Sequence, residues 1–402
     1  MARTILIAAG GTGGHVFPGV AVADELRARD PATRIVFVGT ARGLESRLVP
    51  RVGYELELLP ILPLNGVGVW RALKGLALLP WSVVRAALLV LRTRPSAVLG
   101  VGGYAGGPLL LAAALLRVHT VILEPNASPG FSNRRLRPFV RRAACSYEEA
   151  RAFFGAKGVL TGNPVRGGFA RIAPKAHAGP PSILVFGGSQ GSRVLNRALV
   201  AALPHLPADV GIVHQTGPTM RDEVAAAHRQ AGRASEVVAF LDDMEARVAV
   251  ADLVVCRSGA TTCAELTVAG KASVLVPFAQ AADDHQRVNA AALQDAGAAR
   301  MVEEKDLTGE SLARAIAETL ETPGRLESME RAARALGRPD AAARVADLLD
   351  VDDEQSHRAH REHREKLEGT TATGGPQSQR SRQASSVCSV TSVAPFCWSD
   401  RV

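Results

Sequence analysis

Two distant segments of the chain carry the same local pattern: a short apolar run, a glycine-rich turn and a helical stretch. Near the start, Thr4–Ala9 (TILIAA) runs into Gly10-Gly11-Thr12-Gly13-Gly14. In the second half, Ser182–Phe186 (SILVF) runs into Gly187-Gly188-Ser189-Gln190-Gly191. Further apolar runs at Arg34–Gly39, Ala97–Gly100, Thr120–Leu123, Gly211–Gln215, Leu253–Cys256 and Ser273–Val276 alternate with helical segments such as Val20–Ala28. Strands that alternate with helices imply βαβ units and a parallel sheet. The duplication therefore predicts an α/β protein of two doubly wound, Rossmann-like domains facing each other across a cleft. Glycines and prolines between Thr161 and Pro181 mark the linker. The expected division is an N-terminal domain over 1–163 and a C-terminal domain over 164–350, whose last helix can pack back on the first domain. A tail over 351–402, poor in apolar residues, is expected to be disordered.

Charge is unevenly placed. Residues 1–162 hold 20 Lys and Arg against 9 Asp and Glu, whereas 163–350 hold 20 against 23. A basic half points to an anionic partner, nucleic acid or a phospholipid surface. No RNP-like aromatic motif or zinc-finger spacing accompanies it, so nucleic acid is disfavoured. The five cysteines include no CxxC pair, which suggests neither a disulfide framework nor a zinc site, and a reducing compartment. Asp350-Val351-Asp352 imitates a metal-binding DxD, but it sits at the edge of the tail and reads as ordinary surface charge. The apolar stretch Thr4–Ala23 is broken by Gly10, Gly11, Gly13, Gly14, His15 and Pro18, which spoils it as a signal peptide. No run reaches the roughly 18–20 apolar residues of a spanning helix. The expectation is a protein neither translocated nor membrane-spanning.

Glycine-rich turns after buried strands suit phosphate, because bare amides and a helix N-terminus can approach the anion. From Gly11 the dinucleotide pattern G-x-G-x-x-G ends on Val16, and the second strand ends in Gly39-Thr40 with no acidic residue. NAD is therefore disfavoured. The only Gly-Lys pair, Gly270-Lys271, is followed by Ala272, which disfavours a P-loop. His15 closes the first glycine loop; it can serve as a general base or only hydrogen-bond the loop backbone, and position alone leaves both open. Arg257 to Glu265 (RSGATTCAE) opens a helix after a strand, where small residues admit a ligand and Glu265 can accept from two ribose hydroxyls. Asp283 to Asn289 (DDHQRVN) is a polar run suited to sugar hydroxyls at the carboxyl edge of a sheet.

The order and wording of these blocks resemble one family. GGTGGHVFPG at 10–19, GVGGYAGGP at 100–108, GNPVR at 162–166, GGSQG at 187–191, FLDDM at 240–244, CRSGATTCAE at 256–265 and DDHQRVNA at 283–290 are similar to the bacterial MurG family. These are the UDP-N-acetylglucosamine–N-acetylmuramyl-(pentapeptide) pyrophosphoryl-undecaprenol N-acetylglucosamine transferases. The resemblance spans about residues 3–350 and implies a GT-B fold and an inverting hexosyltransferase with no metal or other cofactor. It implies transfer from UDP-N-acetylglucosamine to the C4 hydroxyl of an undecaprenyl-linked muramyl-pentapeptide, converting lipid I to lipid II. It further implies that Thr12, Gly13, Gly14 and Tyr104 line the cleft and that Asn126 contacts the donor sugar. Arg166 and Ser189 would serve the diphosphate region, Leu241 uracil, and Ala260, Thr261, Thr262, Cys263, Ala264 and Glu265 phosphate and ribose. His285 and Gln286 would hold the sugar, with His15 the leading candidate for the base. The chain departs from the family at Leu123-Glu124-Pro125-Asn126, where many members carry His-Glu-Gln-Asn. Rival readings are a UDP-N-acetylglucosamine 2-epimerase or another lipid-directed glycosyltransferase.

Leu73 to Leu91 is apolar around Trp81, with Lys74, Arg85, Arg92 and Arg94 along or beside it. Arg134, Arg135, Arg137, Arg141 and Arg142 add a second basic cluster. This suits an interfacial helix on anionic lipid. The implied location is peripheral, on the cytoplasmic face of the bacterial cell membrane, in reach of the cell-wall synthesis machinery.

Overall fold

The computed structural model describes residues 3–41, 43–61, 69–103, 106–233, 235–281 and 284–350, with backbone alone for 69–74 and 76. Tyr104, Asp283 and the whole of 351–402 lie outside these residues.

Two parallel sheets organise the chain. The first contains β1 (Thr4–Ala9), β2 (Arg34–Gly39), β3 (Glu55–Leu58), β4 (Ala97–Gly102), β5 (His119–Glu124), β6 (Arg142–Cys145) and β7 (Gly158–Leu160). Its order is β3-β2-β1-β4-β5-β6-β7. The second contains β8 (Ser182–Phe186), β9 (Gly211–Gln215), β10 (Ser235–Val238), β11 (Leu253–Cys256), β12 (Ser273–Leu275) and β13 (Ala299–Met301). Its order is β10-β9-β8-β11-β12-β13. In each sheet the chain begins in the middle, winds outward one way, and returns to wind the other. The two reversals lie between β1 and β4 and between β8 and β11. At such a switch point the loops leaving the carboxyl ends part and open a crevice for a ligand.

Both sheets are covered on both faces, which explains the uninterrupted apolar wording of their central strands. Ile5, Ile7, Phe37 and Leu99 form one face of the first sheet, and Leu6, Val36, Val98 and Ile122 the other. Ile183, Val185 and Val255 oppose Leu184, Val254 and Leu275 in the second. The linker region is firmly packed: Val165, Phe169 and Ile172 are buried in the second lobe's core. Beyond them His177 bridges Asp252 (2.8 Å) and Glu330 (3.2 Å). Burial alone would raise the pKa of Asp252, but hydrogen bonds from Lys175, His177 and Ser182 outweigh it and hold the carboxyl down to about 2. The final helix, Ala341–Leu349, sends Val345, Ala346 and Leu349 into the first lobe's core beside the helix Gly13–Arg29. Burying Val345 and Leu349 stabilises by about 1.5–3 kcal/mol each, and His119 Nε2 adds a hydrogen-bonding contact of 2.8 Å to the Leu348 carbonyl. The C-terminal end of the second lobe is thus fastened to the first.

Candidate active site

Every block that carried the resemblance and lies among the described residues follows the carboxyl end of a strand or opens the helix after it. The first glycine loop follows β1, and the Gly102-Gly103 turn follows its neighbour β4. The Gly187–Gly191 turn follows β8, and Arg257–Gly259 follows β11. The two pairs therefore flank the two switch points.

His15 lies in the first turn of the helix Gly13–Arg29, half-buried. Its Nδ1 is 3.1 Å from the Gly10 carbonyl. A carbonyl can only accept, so Nδ1 carries the hydrogen and the neutral ring keeps Nε2 as its proton acceptor. The ring packs on the turn after β4, where a Cβ on Gly102 would come within 2.5 Å of the imidazole Cδ2. Burial lowers the pKa of His15, with His285 pushing the same way, while the Gly10 carbonyl and Glu45 push it up. The net effect keeps the imidazole neutral, and able to take a proton, at pH 7.

The helix Ala260–Ala269 begins after Gly259, which has no side chain to cap the first-turn amides. Thr261 Oγ1 donates to the Gly14 carbonyl at 2.9 Å, crossing from the second lobe to the first. Asn163 Nδ2 supports it, donating to Thr261 Oγ1 at 3.3 Å. One turn later Glu265 is buried and accepts from Arg166 Nη2 at 3.1 Å. Arg166 also pairs with Glu245 at 3.2 Å and stacks over Phe17 of the first lobe, 4.3 Å from the ring centroid. Thr12, Gly13, Gly14, His15, Thr261, Glu265 and Arg166 are thereby gathered at one meeting of the lobes.

The remaining expected residues divide. Gln286 Oε1 accepts from the Phe278 amide at 3.1 Å, and its carbonyl accepts from Ser258 Oγ at 2.8 Å. His285 is near enough to His15 to act on it electrostatically. Ser189 is half-buried in the turn after β8. Leu241, after β10, buries its side chain in the second lobe's core. Asn126 bonds within its own loop, its Nδ2 donating to Glu124 at 3.4 Å. Leu123, where many relatives carry His, is fully buried in the first core, and Pro125 is buried beside it. Neither position offers a titratable group to the site. Sequence reasoning missed Asn163 and Phe17 as bridging residues, and it missed Glu45 altogether.

Burial raises the pKa of Glu265 to about 7, with Glu245 adding to the rise and Arg166 opposing it. Ionising this carboxyl therefore costs folding stability as pH rises from 4.5 towards 7, and a ligand that donates hydrogen bonds to the ionised form recovers that cost. If two ribose hydroxyls are that ligand, donor KM should rise about tenfold between pH 7.5 and pH 6. Glu265→Gln should weaken the donor and flatten this profile. A wild-type KM that is flat over the interval would remove Glu265 from the donor site.

The chain matches the N-terminal domain model of glycosyltransferase family 28 over residues 5–145 and the C-terminal domain model over 182–345. Among curated proteins it is 49% identical over 351 residues to the UDP-N-acetylglucosamine–N-acetylmuramyl-(pentapeptide) pyrophosphoryl-undecaprenol N-acetylglucosamine transferase of Anaeromyxobacter sp. (strain K), covering 86% of this chain and 91% of that one. The same-named protein of Myxococcus xanthus (strain DK1622) is 49% identical over 350 residues, with coverages of 86% and 91%. Among solved structures, Acinetobacter baumannii MurG superposes with a TM-score of 0.70 at 31% identity, covering 87% of this chain and 99% of that one. A UDP-N-acetylglucosamine 2-epimerase superposes with a TM-score of 0.61 at 14% identity, covering 86% and 95%. At that identity the likeness shows the shared fold alone.

Proposed function

The chain belongs to the MurG family within glycosyltransferase family 28, and we propose on that footing that it transfers N-acetylglucosamine from UDP-N-acetylglucosamine to lipid-linked N-acetylmuramyl-pentapeptide. The observation that carries the site assignment is the Thr261 to Gly14 hydrogen bond, which sets the helix Ala260–Ala269 against the loop that holds His15.

In this reading the donor lies along the second lobe. Glu265 accepts from the ribose hydroxyls, the Leu241 backbone meets uracil, and Ser189 and Arg166 serve the diphosphate. The amides of Ala260, Thr261 and Thr262 face the phosphates, and Cys263 and Ala264 complete that turn. Gln286 and His285 hold the sugar from the second lobe, and Asn126 from the first. The acceptor enters along Thr12, Gly13 and Gly14. His15 Nε2 takes the proton from the acceptor C4 hydroxyl as its oxygen attacks the donor's anomeric carbon. The bond from that carbon to the β-phosphate oxygen breaks, UDP leaves with the electron pair, and the configuration inverts. Backbone dipoles at the start of a helix stabilise the charge that develops on the leaving diphosphate.

The acceptor's lipid places the enzyme at a membrane surface, and we read it as a peripheral protein of the cytoplasmic face. Among the described residues no helix is long and apolar enough to cross a bilayer. The helix Val69–Thr93 leaves Trp81, Val84, Leu88 and Leu91 exposed on one side, with Arg85 and Arg92 beside them. An apolar stripe flanked by cations suits the boundary between headgroups and acyl chains of anionic lipid.

The test is transfer of labelled N-acetylglucosamine to a lipid-linked muramyl-pentapeptide without added metal. Label in a β-1,4-linked lipid product, formed only with acceptor present, is the expected result. Label recovered as N-acetylmannosamine, or as its UDP derivative, would replace transfer with epimerisation.

A further inference from the structure

Among the described residues the first lobe buries two carboxylates, Glu124 on β5 and Glu45, and Glu45 has no part in the assignments above. Glu45 is the first residue of the helix Glu45–Arg51 and is 0% exposed. Oε1 accepts from both the amide and the hydroxyl of Thr40, each at 2.8 Å, which ties it to the end of β2. Oε2 accepts from the Gly11 amide at 2.8 Å. The surrounding sequence leaves room for this group. A Cβ on Gly39 would lie 2.4 Å from Glu45 Cγ, and one on Gly43 would lie 1.9 Å from Oε2.

The Gly11 N–H belongs to the same peptide unit as the Gly10 C=O, and that carbonyl accepts from His15 Nδ1. One rigid amide plane therefore sits between a carboxylate and an imidazole. Its N–H is taken by Glu45 and its oxygen by His15. A carboxylate bonded to an amide N–H polarises the amide and makes its oxygen the stronger acceptor. A carboxylate bonded directly to a catalytic histidine fixes the ring's tautomer and orientation and favours the imidazolium that forms.

We propose that Glu45 is a positioning residue for the transfer, acting on His15 through the Gly10–Gly11 peptide so that Nδ1 stays protonated and Nε2 stays the basic nitrogen. The proposal rests on the reading of His15 as the base. Glu45 does not touch substrate; it holds the peptide plane that holds the ring. The titratable groups acting on His15 are Glu45, from the helix after β2, and His285, from the helix after β12.

The test follows His15 by NMR titration of its imidazole in the full chain, with Glu45→Gln beside the wild type, and measures kcat and donor KM in parallel. The amide keeps the size of the acid and removes its charge. The expected result is a fall in the His15 pKa, loss of the single Nε2-basic tautomer, and a kcat lowered roughly 10–100-fold with donor KM within about threefold. In a His15→Ala background, Glu45→Gln should cost little more, because the two residues act as one unit. An unchanged His15 titration, or an equal cost with and without His15, overturns the proposal. If Glu45→Gln does not fold, Glu45→Asp carries the test: it keeps the charge but is one methylene too short to span Thr40 and Gly11. It should lower the His15 pKa and kcat less than complete removal would, and an unaltered titration in it is equally fatal. If His15→Ala retains turnover, the base assignment fails by itself, while the titration still decides whether Glu45 controls the ring.

Discussion

His15→Ala should lower the turnover of glycosyl transfer by about 10²–10⁴-fold while leaving donor affinity within roughly threefold of the wild type. The separation is expected because the residues read as donor ligands stand mostly on the second lobe: Ser189, Leu241, Ala260 to Glu265, His285 and Gln286. His15 stands on the first lobe and touches the Gly10 carbonyl and the turn after β4. The wild-type kcat should show a single acid limb below pH 6.5, because burial lowers the His15 pKa and protonation removes the base. The same fall in pH protonates Glu265 near 7, so kcat/KM should begin to decline at higher pH than kcat. His15→Ala should erase the kcat limb and leave the Glu265 limb in the donor KM. Rapid transfer by His15→Ala at neutral pH, measured with labelled donor under saturating acceptor, would move the base elsewhere. A matching loss of donor binding would instead make His15 a residue of the donor site.

The parts of this fold that were legible in the sequence are those buried on both faces. β1, β2, β8, β9 and β11 have the predicted bounds because the centre of a covered parallel strand is apolar, although β9 (GIVHQ) also buries His214 and Gln215. The strands that escaped notice are short or only partly covered. β3 (ELEL), β10 (SEVV) and β13 (ARM) lie at sheet edges with side chains partly exposed, and β7, also at an edge, is three half-buried residues. β6 (RAAC) is buried but has little β-branched character. An edge strand needs no continuous apolar wording, so its signal fades into that of a loop.

The site divides in the same physical way. Glycine turns and the RSGATT wording are local, since both follow from strand, turn and helix within ten residues. Contacts that join distant segments leave no such trace. Thr261 and Gly14 are brought to 2.9 Å by the packing of the two lobes, and no property of either short block anticipates their meeting. The stacking of Arg166 on Phe17 arises from the same approach. Glu45 shows why burial is the harder inference. In sequence it is an acidic residue opening a helix, where carboxylates are common on the surface. The nearest thing to a signal is the pair of glycines at 39 and 43, which clear the volume its side chain fills. At Leu123 the reading worked in reverse: an unusual residue in a family block proved to be a core position on β5.

Charge on the exposed side of the helix Val69–Thr93 should decide where the enzyme works. Leu88 and Leu91 are each 56% exposed, and Trp81 and Val84 are 52% and 49% exposed on the same side. These positions recur at spacings of three and four, so they form one stripe rather than scattered surface residues. Returning a leucine from the acyl boundary to water costs about 1.5–3 kcal/mol, and a new carboxylate beside anionic lipid adds about 1 kcal/mol of repulsion. Leu88→Glu should then weaken binding to phosphatidylglycerol-rich vesicles by about 100-fold, and Leu88→Glu with Leu91→Glu by more. Arg85→Gln should cost only about fivefold, and that loss should vanish at molar salt, where the Debye length shrinks to about 3 Å. Turnover on a short-chain, water-soluble acceptor should be unchanged in all three variants, because the stripe lies on a different element from His15 and the donor loops. Sedimentation with vesicles and transfer to a vesicle-borne acceptor read the two effects separately. If Leu88→Glu binds vesicles as the wild type does, the stripe is not the membrane face. If it instead lowers activity on the soluble acceptor, the helix supports the first lobe, and the exposed leucines must be explained from within the fold.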